Sequence, residues 1–105
     1  MPKAISGHRL PRTKITDEIR VASDLMRIGG DPSRLRILML TEEAELHVEF
    51  LCEAIGLCQG SVSHHLAKMR LAGVVAARHE GRRVYYSPTR KGYLCLEAAR
   101  KFADI

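Results

Sequence analysis

From Cys58 to Arg70 the chain reads CQGSVSHHLAKMR, and most of its non-apolar residues can donate or accept a hydrogen bond. Val62, Leu66 and Met69 recur at steps of four and three, the spacing of one helix face. The rest of the surface carries Gln59, Ser61, Ser63, His64, Lys68 and Arg70. An amide, short hydroxyls and an imidazole suit base edges, and cations suit phosphates. The DNA major groove admits one α-helix, so this segment has both the width and the chemistry to read a duplex. The plainer reading is an amphipathic helix with a solvated face; it fits less well because the charges are of one sign. His65 lies about 100° round the helix from His64. The two therefore do not face one partner, and His64 is the better contact.

A second group of cations follows. Arg82 and Arg83 sit beside Gly81, with Arg78 and His79 on the run before it. With Lys68, the arginines Arg78, Arg82 and Arg83 are the expected phosphate contacts, about four for each copy of the chain. Solvated hairpin charge is the alternative. His47 and Glu49 are candidate metal ligands, since imidazole and carboxylate both bind zinc, but two ligands do not make a site. No motif places a nucleophile, base and acid together, and no glycine-rich phosphate loop is present, so the sequence gives no support for an enzyme and calls for no cofactor.

These residues need a scaffold. Phe50, Leu51, Ala54 and Ile55 form the apolar side of a short helix, Gly56 breaks it, and Leu57 anchors a turn into the helix from Gln59. Together they read as a helix-turn-helix. Upstream, Thr16 is a reasonable N-cap with Asp17 and Glu18 in the first turn, and Gly29–Gly30 ends that helix. Asp31 caps the next, with Pro32 in its first position. Leu35, Ile37, Leu38 and Leu40 should bury this second helix while Arg34 and Arg36 stay outside. Downstream, Val74–Glu80 and Arg82–Ser87 are β-prone runs joined at Glu80–Gly81 as a hairpin. Of Tyr85 and Tyr86, which alternate faces, one should pack and the other be exposed. Thr89 caps a last helix to about Asp104, whose inward face would be Leu94, Cys95, Ala98, Ala99 and Phe102.

DPSRLRILML at 31–40, ELHV at 45–48, the helix-turn-helix and EGRRVYYS at 80–87 together resemble the ArsR/SmtB family of winged-helix repressors. The likeness runs from about Met26 to Ser87. It implies a mainly α (α+β) fold with a two-stranded β-wing, dimerising through the first and last helices. It also implies a homodimer on double-stranded DNA with a palindromic operator, released by metal, metalloid or thiol-oxidising signals. A protein-interaction module using the same basic face is the alternative. The sensing residues depart from the family. Its metal sensors often carry ELCVCDL where this chain has ELHVEFL, and the last helix, RKGYLCLEAARKFAD, has no histidine. His47, Glu49 and His8 of a second subunit remain the weak metal set. Cys58 falls where the family usually has serine, at the N-cap of the recognition helix. Cysteine caps poorly, but a thiol at the positive end of a helix is acidified, so Cys58 is the candidate redox-sensing residue. A turn cysteine without a role is the alternative. Cys52 and Cys95 are expected to be packed.

The 105 residues suit one domain, with 1–14 as a flexible basic arm and 15–105 as the winged domain. A net charge of +5 points to a polyanionic partner, and the acids gather before the turn at Glu42, Glu43, Glu45, Glu49 and Glu53. Three cysteines without CxxC spacing argue against a disulfide scaffold. The amino terminus lacks the apolar region of a signal peptide, and no run approaches a membrane span. The expectation is a soluble, cytoplasmic, reduced protein. The first and last helices carry more apolar surface than a domain this small can cover, which is the reason to expect a dimer.

Overall fold

The computed structural model describes residues 12–104, with side chains from Ile15. Five helices and a small sheet follow in the order α1 (Arg12–Gly29), α2 (Pro32–Glu43), β1 (Leu46–His47), α3 (Val48–Ile55), α4 (Gln59–Leu71), β2 (Val75–Glu80), β3 (Arg83–Pro88) and α5 (Arg90–Ala103). No described helix is long and apolar enough to cross a membrane. The core gathers Ile37 and Leu38 of α2, Leu51 of α3, Val62, Leu66 and Met69 of α4, and Val74 and Leu96. The 4-then-3 spacing of α4 therefore marks its buried face, as its sequence requires.

Local chemistry sets the boundaries. Asp31 is extended, and its carboxylate accepts from the backbone N–H groups of Ser33 and Arg34 at 2.8 and 3.1 Å, while Pro32 opens the helix. Burial acts to raise the Asp31 carboxyl, but these two backbone donors prevail and hold it below the usual carboxylate range. Gly56 ends α3 in the left-handed region at φ 80°, where its N–H returns to the Cys52 carbonyl at 2.8 Å. A side chain would strain this turn, which fixes the entry angle of α4. At the hairpin Glu80 pairs with Arg83, so the tip is Gly81–Arg82, one residue beyond the expected Glu80–Gly81. Gly81 at φ 61° is the only tip residue with positive φ, the pattern of a turn with glycine first.

Four expectations need correction. Helix α1 begins at Arg12, so Thr16 is interior rather than a cap, and residues 12–14 of the expected arm are helical; residues 1–11 lie outside the described ones. The hairpin is joined by a third strand, since Leu46 and His47 pair antiparallel with Tyr86 and Tyr85. Two residues are too few to show a strand period, which is why the sequence reads only two strands. Arg34 is not outside: it is 8% exposed, between α2 and α4. On α5 the core-facing residues are Gly92, Cys95 and Leu96, whereas Leu94 and Phe102 face away.

Helix α5 lies against the α4–β2 turn. Thr89 caps it by accepting from the Gly92 N–H, and its hydroxyl donates to the Gly73 carbonyl at 2.5 Å. Its own N–H donates to the Val74 carbonyl at 3.0 Å. Gly92 makes this approach feasible. A β-carbon there would collide with the Val74 carbonyl oxygen and stand 3.1 Å from Pro88 Cβ and 3.3 Å from Leu38 Cδ2. Gly92→Ala should therefore lower stability by about 1–3 kcal/mol or more, the range for overpacking a closed site. Urea denaturation monitored by circular dichroism checks this; an unchanged midpoint would mean that the joint can open freely.

Candidate nucleic-acid interface

Helix α4 presents its polar residues in two flanks and an outward strip. Gln59, Ser63, His64, Lys68 and Arg70 are all exposed, and Ser61 is half-buried. No acidic residue lies on the helix, whose sequence is QGSVSHHLAKMRL. Ser63, Ala67, Arg70 and Leu71 border a shallow cleft with Tyr86 of β3, so this flank faces the hairpin. Leu71 is 91% exposed at the far end of α4. On the other flank His65, half-buried, accepts at Nδ1 from the Nε–H of Arg34 at 3.2 Å. His64 faces outward with its ring 6.4 Å from that of His65. The imidazoles divide as their spacing implies, one outward and one inward.

The hairpin cations also divide. Arg82 and Arg83 are exposed at the tip. Arg78 is paired: its Nε donates to both Glu45 oxygens at 3.2 and 3.0 Å, its Nη1 to Glu80, and its guanidinium lies 5.1 Å from the Tyr85 ring centre. Those two carboxylates, Glu45 foremost, raise its pKa further. Of the four expected phosphate cations, Arg78 is the one already neutralised. Tyr86 packs on the core and Tyr85 lies edge-on to His47 at 5.8 Å, so neither is fully exposed.

His47 has local work. It is the N-cap of α3, where Nδ1 accepts from the Phe50 N–H at 3.4 Å. Glu49 is exposed in the first turn of that helix. Among the described residues no three His, Cys, Asp or Glu side chains gather as a metal cluster. His8 lies outside the described residues.

Cys58 is the N-cap of α4, extended at φ −72° and ψ 160°, with no side-chain bond to the helix backbone. Its Sγ lies 3.3 Å from Ser61 Oγ, and the thiol is exposed. The Ser61 hydroxyl first, and then the positive ends of the first-turn N–H dipoles at Ser61 and Gly60, lower its pKa from the ordinary thiol value against a smaller opposing effect of burial. Cys95 is the reverse case: it is buried, its Sγ directed at the Leu25 carbonyl 3.8 Å away, and burial raises its pKa. Cys52 is half-buried against the core. Alkylation at neutral pH should accordingly label Cys58 first and Cys95 last, and Ser61→Ala should slow labelling of Cys58. Peptide mapping of a timed iodoacetamide reaction gives the order, and faster labelling of Cys95 would refute it.

A wide apolar groove lies elsewhere, between α1 and α5. Ala22, Leu25 and Met26 face Leu94, Ala98 and Phe102 across a space of about 420 Å³. Met26 is 67% and Phe102 65% exposed. This is the surplus apolar surface that the sequence shows on its first and last helices.

Sequence reasoning missed Arg34. Its signal would have been the pairing of a first-turn arginine with His65, a contact 31 residues apart along the chain.

Residues 31–77 match the family model described as bacterial regulatory protein, arsR family. The chain is 36% identical over 89 residues to the HTH-type transcriptional regulator NmtR of Mycobacterium tuberculosis, covering 83% of this chain and 73% of that one. It is 33% identical over 70 residues to the HTH-type transcriptional regulator KmtR of the same organism, covering 67% of this chain but only 54% of KmtR. A solved structure, the homodimeric winged helix-turn-helix DNA-binding domain of Mb0332 from Mycobacterium bovis, superposes with a TM-score of 0.76 at 25% identity, covering 95% of this chain and 91% of that one.

Proposed function

The chain belongs to the arsR family of bacterial regulatory proteins, and from that premise we propose that it is a repressor binding a two-fold DNA site as a homodimer. It is a winged helix-turn-helix regulator of transcription, with α4 as its recognition helix and the β2–β3 hairpin as its wing. The observation that carries the reading is α4 itself: three buried apolar residues hold it to the core while its outer surface carries only neutral polar, small or basic groups and Leu71. Ser61, Ser63 and His64, in its first turns, contact base edges, with Gln59 beside them. Lys68, Arg82 and Arg83 contact phosphates, and Arg70, which borders the same cleft as Ser63, is assigned to the base edges. The α1–α5 groove takes the second subunit, which sets two recognition helices about 34–36 Å apart, one turn of B-DNA. The working compartment is the cytoplasm, where transcription is regulated and thiols stay reduced. Release is assigned to oxidation of Cys58, whose exposed thiol adjoins the base-reading residues. No catalytic step is assigned.

Selection of a preferred site from random duplexes, followed by titration, tests this. Ser63→Ala with His64→Ala should cost about 1–3 kcal/mol per lost base contact and blur the preference. Arg82→Ala with Arg83→Ala should weaken every sequence alike. An exchange of the two effects would mean that α4 is not the reading helix, and the absence of any preferred duplex would end the proposal. Mild peroxide should weaken the wild-type complex and leave Cys58→Ser indifferent. Loss of binding in both would move the switch to Cys52 or Cys95.

A further inference from the structure

We propose that Arg34 binds a backbone phosphate of DNA on the flank of the recognition helix opposite the wing; this rests on the DNA-binding reading above. Arg34 is 8% exposed, yet it forms no ion pair with any described carboxylate. Its one side-chain hydrogen bond to a described residue runs from Nε to His65 Nδ1. Asp31 attracts Arg34 through space without pairing directly, so an arginine enclosed to this degree keeps its charge only where the free end of the guanidinium meets water or an anion. Asp31, one turn back, is engaged in capping Ser33 and Arg34 through their backbone N–H groups.

The unused part of the side chain is the part that binds phosphate. Nη1 and Nη2 have no described partner, and among the described residues no buried side-chain nitrogen or oxygen lacks one. Both nitrogens must therefore reach the surface, at the end of an otherwise enclosed side chain. With Nε fixed on His65, the guanidinium presents its two terminal N–H groups as a fork of set direction, the geometry that suits two phosphate oxygens.

Position supports the same ligand. His65 and Ala67 are two residues apart on α4, hence about 200° round its axis. Ala67 lines the wing-side cleft with Tyr86, and His65 meets Arg34. The wing and Arg34 therefore bracket the recognition helix from its two sides. A helix in the major groove has a phosphate backbone along each side, and the wing can track only one. Arg34 supplies a cation for the other.

The test uses full-length protein and its selected duplex. Arg34→Gln should make the slope of log affinity against log salt shallower by about 2 per dimer, one phosphate per subunit at about 0.9 each. Arg36→Gln, an exposed neighbour on α2, should leave the slope as in the wild type. A scan of single methylphosphonate linkages should then find one phosphate per half-site whose neutralisation weakens wild-type binding but not that of Arg34→Gln. A folded Arg34→Gln protein with the wild-type slope would overturn the assignment. If Arg34→Gln does not fold, the same scan with Arg82→Ala/Arg83→Ala protein decides. Phosphates that stay sensitive on the side away from the wing support the site, and their absence overturns it. A wild-type protein that binds no duplex would remove the function itself, a result distinct from either.

Discussion

Affinity for the selected duplex should fall by about four orders of magnitude as salt rises from about 50 to 200 mM, a log–log slope near −7. The number follows from a count of cations. Reading the sequence alone gives four phosphate contacts per subunit, from Lys68, Arg78, Arg82 and Arg83. The ion pairs of Arg78 with Glu45 and Glu80 remove it, leaving three and a slope near −5 for the dimer. Arg34 returns the count to four. Fluorescence anisotropy over a salt series separates the two counts, because slopes of −5 and −7 differ by about tenfold in the affinity lost over that range. A slope flatter than about −3 would contradict a phosphate interface of this size.

Charging the α1–α5 groove should have an effect nearly as large. Met26→Glu with Phe102→Glu places two carboxylates where the structure has exposed apolar side chains, and neither residue is in the core, so the subunit should still fold. The expected product is a monomer by sedimentation at micromolar concentration. Its affinity for the full site should drop by about 10²- to 10⁴-fold, because each recognition helix loses the effective concentration that its tethered twin supplied. Half-site affinity should be little changed. A variant that remains dimeric would place the subunit interface on some other surface.

Much of this molecule is legible in its residues, and the exceptions share a cause. The recognition helix announces itself through Val62, Leu66 and Met69, and the turn through Gly56, because burial and positive φ are each imposed locally on residue type. Asp31–Pro32 marks a helix start for the same reason. The β1 strand does not announce itself, since Leu46 and His47 become a strand only when β3 arrives to pair with them. Leu94 and Leu96 are chemically alike, and only the placement of Gly92 against Val74 decides that Leu96 enters the core. Arg34 reads as a solvated first-turn cation until His65 closes over it. Likewise Arg78 reads as a phosphate contact until Glu45 is brought beside it from 33 residues away. In each case the deciding partner is distant along the chain, and composition holds no trace of it.

The joint at Thr89 and Gly92 limits how any signal can travel. Two hydrogen bonds and a contact too close for a β-carbon tie the start of α5 to the α4–β2 turn at Gly73 and Val74, and Arg100 ties its far end to Glu42 of α2. The helix that would meet the twin subunit and the helix that would enter the groove are thus one lever, with no slack between them. A lever of this kind does not bend when it is pushed; it swings. A signal received at the α1–α5 groove, unlike oxidation of Cys58 beside the bases, would then act by turning one half of the dimer against the other, altering the span between the two reading heads while each head keeps its shape. Small-angle scattering of a form perturbed at that groove should differ from the DNA-competent form in the distance between subunits rather than in the form of either.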